Sequence, residues 1–232
     1  MQSATEIKWT ARRAGVLYLA MSICAMVGYL YLHRLFFISG DPAATARSIL
    51  AREGLYRASI VLDLFGELLF ILVVLDLYRL FRDVDRNQAR VMVALIGTGI
   101  AVQFATFVLN AVPLVLLSGA DHLSAFSQQQ LETMSYMSLS LAGKQGELLM
   151  SIWGLWLFPF AILTIKSGFL PKFLGVLLIV TGVAYVVACV TTIAFPEHAH
   201  AVNQVAFPLY FGEFLVVLWM AFVGAKPRTA EG

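Results

Sequence analysis

A short pattern of glycine, glutamate and leucine recurs three times along this sequence. The copies are Gly66-Glu67-Leu68-Leu69, Gly146-Glu147-Leu148-Leu149 and, with one change, Gly212-Glu213-Phe214-Leu215. Each copy lies inside an apolar run, where an ionised carboxylate costs about 2.5–3.5 kcal/mol on membrane-insertion scales. Carboxylates in such places face the protein interior and need a proton, a cationic partner or a bound cation. The pattern therefore predicts a buried acidic pocket that binds or transports a cation, a proton or a small molecule.

Other polar residues in the apolar runs are spaced so that they can join the glutamates. Asp63 lies four residues before Glu67 and shares its helix face, and Lys144 lies three residues before Glu147, a spacing that allows an ion pair. The candidate ligand-binding residues are Glu67, Glu147, Glu213, Asp63, Lys144, Arg57, Gln103, Asn110, Tyr29 and His33. Among these candidates, the four acids outnumber the two cations, Arg57 and Lys144. Protonation or a bound cation must remove that excess charge.

Two further functions are compatible with the same residues. In the first, the glutamates only hold helices together, within a structural or accessory subunit of a membrane complex. In the second, the protein is a metal-dependent intramembrane enzyme that acts on a lipid-like substrate. Its weak metal candidates are Glu67, Glu147, Glu213, His198 and His200, although a solvated loop is the favoured interpretation of the two histidines. The common catalytic signatures are missing from the sequence, so catalytic residues and cofactors stay unknown.

The composition indicates that lipid surrounds most of the chain that must position these residues. Of its 232 residues, 60% are hydrophobic and 13% are charged, and the mean hydropathy is +0.82. Soluble proteins are about 45–50% apolar and about 25% charged. The net charge of +2 is too small to indicate nucleic acid as a partner. The predicted partners are the lipid bilayer and the ligand of the acidic pocket, with a homo-oligomer or a larger membrane complex left open.

Six apolar runs predict an all-α polytopic membrane protein, a bundle of six transmembrane helices. The predicted spans are 14–37, 55–80, 91–117, 138–165, 173–195 and 204–224, within a single transmembrane domain over 1–232. Each is long enough to cross a hydrocarbon layer of about 30 Å at about 1.5 Å per residue. We also expect Pro113, Pro159 and Pro208 to kink the helices that contain them.

Two short helices are predicted on the outer face, over 42–53 and 128–137. Asp41-Pro42 combines a capping residue with a proline at the first helical position. Ser127 and Gln130 have the spacing of a capping box.

The distribution of Lys and Arg indicates that both termini are cytoplasmic. With the N-terminus inside, the inner segments hold eleven of the sixteen basic residues: Lys8, Arg12, Arg13, Arg79, Arg82, Arg86, Arg90, Lys166, Lys172, Lys226 and Arg228. The outer loops 118–137 and 196–203 hold none. The loop after the first span is the exception, with Arg47 and Arg52.

Several motifs, in order along nearly the whole chain, carry a resemblance to a known family. They are Ala11-Arg-Arg-Ala-Gly15 with Tyr18, Gly40-Asp-Pro-Ala-Ala44, Tyr56-Arg57, Asp63, Gly119-Ala-Asp121, Lys166-Ser-Gly-Phe-Leu-Pro-Lys-Phe-Leu-Gly-Val-Leu-Leu178 and Gly212-Glu213. In these motifs the chain resembles the bacterial membrane protein family called domain of unknown function 4386. The resemblance implies a multi-pass protein of the bacterial cytoplasmic (inner) membrane. It implies no activity and no cofactor.

Overall fold

The protein is helical throughout the part that the structure describes. The computed structural model describes residues 3–225, with only the backbone of Tyr29 and Leu30. Its helices are α1 (Ala4–Phe36), α2 (Pro42–Ala51), α3 (Glu53–Phe81), α4 (Arg86–Leu116), α5 (Gln128–Ser167), α6 (Lys172–Ala194) and α7 (Ala199–Val223). Within residues 3–225, all of these except α2 are long and apolar enough to cross a membrane. The predicted all-α class with six membrane-spanning helices is therefore confirmed.

The short helix α2 begins as its sequence predicts. The carboxylate of Asp41 accepts a hydrogen bond of 2.8 Å from the backbone N–H of Ala44, and Pro42 occupies the first turn. The side chain therefore satisfies one of the N–H groups that a helix leaves unpaired at its start.

The prediction of a separate helix over 128–137 is wrong. The predicted capping box does form, because Ser127 and Gln130 exchange hydrogen bonds between side chain and backbone at 2.8 and 3.3 Å. It caps the spanning helix α5 itself, which runs without a break from Gln128 to Leu155. Between 130 and 150 only Gly143 and Gly146 are weak helix formers, and a glycine in a helix interior costs only about 1 kcal/mol.

Two of the three prolines lie close to helix interruptions. Helix α5 is interrupted at Trp156, three residues before Pro159. A proline ring clashes with the carbonyl four residues earlier, which here belongs to Leu155. Helix α7 is interrupted at Tyr210, two residues after Pro208, whereas α4 continues through Pro113.

The described residues fall into two compact units. Unit 1 consists of the described parts of Met1–Ala20, Leu69–Ile100 and Glu147–Gly232, and unit 2 of Met21–Leu68 and Ala101–Gly146. The prediction of a single transmembrane domain stays a prediction. Glu67 belongs to unit 2, whereas Glu147 and Glu213 belong to unit 1.

Aromatic packing and ion pairs hold unit 1 together. Phe81 packs edge-on against Phe160 and stacks on Phe169, each at 5.7 Å between ring centroids. Gly168 ends α5 with a φ of 70°, a left-handed conformation that favours glycine. This turn leaves Phe169 buried, and Lys166 pairs with Asp85 at 2.8 Å.

Unit 2 has a smaller hydrophobic core. Phe36, Ile49, Tyr56 and Leu139 form one buried cluster that joins α1, α2, α3 and α5. Phe36 and Tyr56 meet edge to face at 5.0 Å between ring centroids. The cluster fixes the end of α1 next to the beginning of α3, where the candidate site lies.

Candidate functional site

A π-helical stretch of α1 lies against Asp63 of α3 in unit 2. Residues Met26–Leu32 are π-helical, and the backbone N–H of His33 donates a hydrogen bond to the carbonyl of Gly28, five residues earlier. A Cβ atom at Gly28 would overlap with Oδ1 of Asp63. The glycine therefore allows the carboxylate to approach the helix backbone. Such π-helical turns occur often at functional sites.

A small cavity opens beside this contact. Its polar lining consists of Gly28, His33, Tyr56, Ser59, Asp63 and Asn110. Its volume is about 10 Å³, which accommodates about one water molecule. Three of these residues, His33, Asp63 and Asn110, were predicted from the sequence. Gly28, Tyr56 and Ser59 were not, because glycines and hydroxyl groups are common in spanning helices and give no distinct signal there.

The two hydroxyl groups of the cavity both donate to backbone carbonyls. Tyr56 donates to the carbonyl of Asn110 at 2.6 Å, and Ser59 donates to the carbonyl of Tyr56 at 2.7 Å. Both side chains are buried. These bonds orient the hydroxyls, and the bond from Tyr56 connects α3 to α4.

Unit 2 also contains buried oxygen atoms without a hydrogen-bond partner, one of them on a residue that lines the cavity. Among the described residues of unit 2, they are Oε1 of Glu67, Oδ1 of Asn110 and Oγ1 of Thr106. A buried polar atom without a partner costs about 1–3 kcal/mol. Glu67 follows Asp63 by one turn on α3, and Asn110 follows Thr106 by one turn on α4. Unit 2 therefore presents acceptors that a proton, a cation or a donor group can satisfy.

The remaining predicted residues of unit 2 have other surroundings. Arg57 is exposed and pairs with Glu53 at 2.7 Å, so its guanidinium is engaged away from the cavity lining. Gln103 is half-buried on α4, and Lys144 is exposed near the middle of α5, one turn before Glu147. The side chain of Tyr29 lies outside the described residues.

Glu213 has a different environment, in unit 1. Its carboxylate accepts hydrogen bonds from the hydroxyls of Tyr18 and Tyr185. Tyr185 in turn stacks on Tyr210, with 4.3 Å between the ring centroids. A Cβ at Gly212 would lie 2.5 Å from Oγ1 of Thr181, so the glycine before this glutamate permits close packing of α6 and α7.

The glycine before Glu67 has the same effect in unit 2. A Cβ at Gly66 would lie 3.1 Å from the Cβ of Cys24, so α1 and α3 pack closely at this point. That Glu67, Glu147 and Glu213 meet in one pocket stays a prediction.

Residues 3–225 contain no group of three or more His, Cys, Asp or Glu side chains that could hold a metal ion. None of the weak metal candidates belongs to such a group: Glu67, Glu147, Glu213, His198 and His200. The two histidines are exposed, with Nε2 of His198 3.8 Å from Glu197 and Nε2 of His200 3.0 Å from Gln204. Their exposure agrees with a solvated position, but His200 lies in the first turn of α7 rather than in a loop.

Comparison with known proteins identifies a family for the chain. The family described as a domain of unknown function (DUF4386) matches residues 13–224. No curated protein and no solved structure matches the chain. The match covers all six membrane-spanning helices at least in part, together with the cavity and the tyrosines around Glu213. The chain is therefore a member of the family of domain of unknown function 4386.

Proposed function

We propose that this multi-pass membrane protein binds a proton or a small cation within the bilayer, at Asp63 and Glu67 of unit 2. The observation that carries the proposal is the set of buried oxygens around these acids. Oε1 of Glu67 and Oδ1 of Asn110 have no hydrogen-bond partner, and Asn110 lines the cavity together with Asp63. A bound proton or cation would satisfy atoms that the protein itself leaves unpaired.

The size of the cavity restricts the ligand. A volume of about 10 Å³ accommodates one water-sized group and excludes organic cations of any length. The proposed function is first the binding of a proton or a small cation and then its transport across the membrane. Intramembrane acids frequently mark ion and proton pathways.

The surroundings of Glu213 support a different role for the third copy of the repeated pattern. Both hydrogen bonds to its carboxylate come from the protein's own tyrosines, which lie on α1 and α6. We therefore assign Glu213 a structural role in holding α1, α6 and α7 together. The metal-dependent enzyme receives no support from the described residues, because none of its candidates belongs to a cluster of three or more His, Cys, Asp or Glu side chains that a catalytic metal could use.

The test is covalent labelling of the full chain in liposomes with dicyclohexylcarbodiimide, a lipid-soluble reagent that adds to protonated carboxyl groups. In sodium-free choline buffer we expect labelling at Asp63 or Glu67, located by mass spectrometry. Exposed acids such as Glu53 and Asp83 serve as internal controls and should stay unlabelled. Raising the pH or adding a small cation should slow the reaction. Labelling confined to Glu213, or labelling of Asp63 and Glu67 that ignores both pH and cations, would contradict the proposal.

The proposed location is the bacterial cytoplasmic membrane, with both termini in the cytoplasm. The basic residues described above support this orientation, since nine of the eleven lie within residues 3–225. Lys226 and Arg228 lie outside the described residues.

A further inference from the structure

The cavity beside Asp63 is lined mainly by hydrogen-bond acceptors. Each of its two hydroxyl groups donates its proton to a backbone carbonyl, Tyr56 to Asn110 and Ser59 to Tyr56. The oxygens of Tyr56 and Ser59 therefore keep only lone pairs for the cavity. Asp63 adds a carboxylate, which accepts when ionised, and Asn110 has a buried Oδ1 without a partner. Four side chains thus offer oxygen atoms around a space of about one water molecule.

This lining selects among small ligands by chemistry. An anion or a neutral acceptor would find no hydroxyl proton there and only the amide of Asn110 and the ring of His33 as possible donors, whereas a hard cation binds to carboxylate, amide and hydroxyl oxygens. Asp63 is the single carboxylate among the residues that line the cavity, and it balances one positive charge, whereas Glu67 lies one turn further along α3. The ligand set therefore suits a monovalent ion better than a divalent ion, which would leave one charge uncompensated in a medium of low dielectric constant.

Charged and titratable groups come from α1, from α3 and from the link between α2 and α3. From α1, His33 lines the cavity, and its ring stacks on Phe37. From α3, Glu67 lies one turn further along, and Arg57 pairs with Glu53. Arg52, between α2 and α3, lies over the ring of Phe36 at 5.7 Å. From α4, Asn110 lines the cavity, and both it and Thr106, one turn before it, are uncharged.

We propose that the cavity formed by Tyr56, Ser59, Asp63 and Asn110 is a binding site for a monovalent alkali cation of sodium size. The inference rests on the proposed function and narrows its ligand. Gly28 contributes by leaving room for the carboxylate against the π-helical turn, so the oxygen of Asp63 reaches the cavity next to the backbone of α1.

Thermal unfolding of the full chain in detergent tests this site. The buffers contain choline, lithium, sodium, potassium or rubidium chloride at one ionic strength. We expect sodium to raise Tm with the logarithm of its concentration above Kd, by about 5 °C or more at about 100 times its Kd. Potassium and rubidium should raise Tm less, because they are larger than the cavity suits. Equal Tm values in sodium and choline would overturn the inference.

Substitutions then show which residues the sodium-dependent rise in Tm requires. Asp63→Asn should abolish the sodium-dependent rise in Tm, and Asp83→Asn, the same change at an exposed loop residue, should leave it intact. Ser59→Ala keeps the carboxylate, removes one oxygen and should weaken sodium binding about tenfold, which keeps the inference testable if Asp63→Asn does not fold. A full sodium response in both Asp63→Asn and Ser59→Ala would overturn it.

Failure of this inference can be told apart from failure of the proposed function. If sodium leaves both Tm and carbodiimide labelling unchanged while a fall in pH promotes labelling of Asp63 or Glu67, the ligand is a proton. The sodium site is then wrong and the proposed function stands. If neither pH nor any cation affects labelling, both are wrong.

Discussion

Oδ1 of Asp63 occupies the space that a Cβ atom on residue 28 would need, so this carboxylate depends on the glycine opposite it. The contact joins a π-helical turn of α1 to the middle of α3, within one unit. It also explains how an acid can lie against a helix of mainly apolar residues, since the missing side chain leaves room for the carboxylate and the cavity.

Replacing Gly28 with alanine should displace Asp63 and lower the free energy of unfolding by about 1–3 kcal/mol, as overpacking does in well-packed cores. Gly97→Ala is the control, because a Cβ at Gly97 would meet nothing within 4 Å. That change should be neutral or stabilising by up to about 1 kcal/mol. Denaturant unfolding in mixed micelles measures both. Equal effects of the two substitutions would show that the Gly28 contact is unimportant.

Tyr18→Phe should destabilise the protein, because it removes a hydroxyl that donates to the buried carboxylate of Glu213. Hydrogen bonds to charged groups contribute about 1.5–3 kcal/mol. Tyr31→Phe is the matched control, since Tyr31 is 64% exposed. Unfolding curves of the two variants should differ, and a double-mutant cycle with Glu213→Gln should reveal coupling between positions 18 and 213. Additive effects would contradict the structural role of Glu213.

Asp76→Asn should lower the free energy of unfolding, because it removes the charge of a second buried carboxylate. Asp76 lies towards the other end of α3. Asp76 is 3% exposed in its side chain and pairs with Arg13 and, at 3.5 Å, with Arg79. Breaking a fully buried pair costs about 3–5 kcal/mol, and because the Arg13 side chain is 36% exposed we expect about 2 kcal/mol. Unfolding measurements should place this variant well below Asp83→Asn. If the two acids behave alike, the burial of Asp76 contributes nothing.

The ion pair between Lys166 and Asp85 should make stability depend on pH. The hydrogen bond from Lys166 holds the pKa of Asp85, which lies outside the spanning helices, below its ordinary value. Because the pKa of Asp85 is lower in the folded state, its ionisation stabilises the protein fully at pH values above the ordinary pKa of about 3.9. That stabilisation disappears as the pH falls through the folded-state pKa. Near pH 7 the Tm of Lys166→Met should therefore be lower than that of the wild type, and the difference in Tm should shrink below about pH 4. A constant difference from pH 7 to pH 3 would contradict this origin.

Cysteine labelling should settle the orientation. Both native cysteines, Cys24 and Cys189, are buried and can be replaced by alanine. In that background, Ser118→Cys should react in intact cells with a membrane-impermeant maleimide, whereas Asp83→Cys should react only after the cells are lysed. The reversed pattern would place the termini outside.

The sequence predicted the spans well, because the length of an apolar run reports directly on the membrane. It predicted the helix ends less well. Helix α1 begins at Ala4, ten residues before the predicted start, because polar residues of good helix propensity continue the helix beyond its apolar run. The continuity of α5 through 128–137 has the same cause.

The site was predictable where polarity alone marks a residue. Asp63, His33 and Asn110 are conspicuous within apolar runs. Gly28 acquires its role from the π-helical turn opposite Asp63, and Tyr56 from a hydrogen bond to Asn110 on another helix, and neither leaves a local pattern. Ser59 bonds within its own helix, where a serine is too common to mark a site. For the same reason the partners of Glu213 were missed, since Tyr18 and Tyr185 lie far from it in sequence.

Helix α5 has more residues than a membrane crossing needs. It contains 40 residues, with an interruption at Trp156, whereas about 20 residues cross a hydrocarbon layer of about 30 Å. The glutamines and Glu132 in its first turns make that end the part that stands in water. A fusion partner grafted as a rigid extension at Gln128 would therefore be held firmly, and it would provide a fiducial for electron cryomicroscopy of a protein that has little mass outside the lipid.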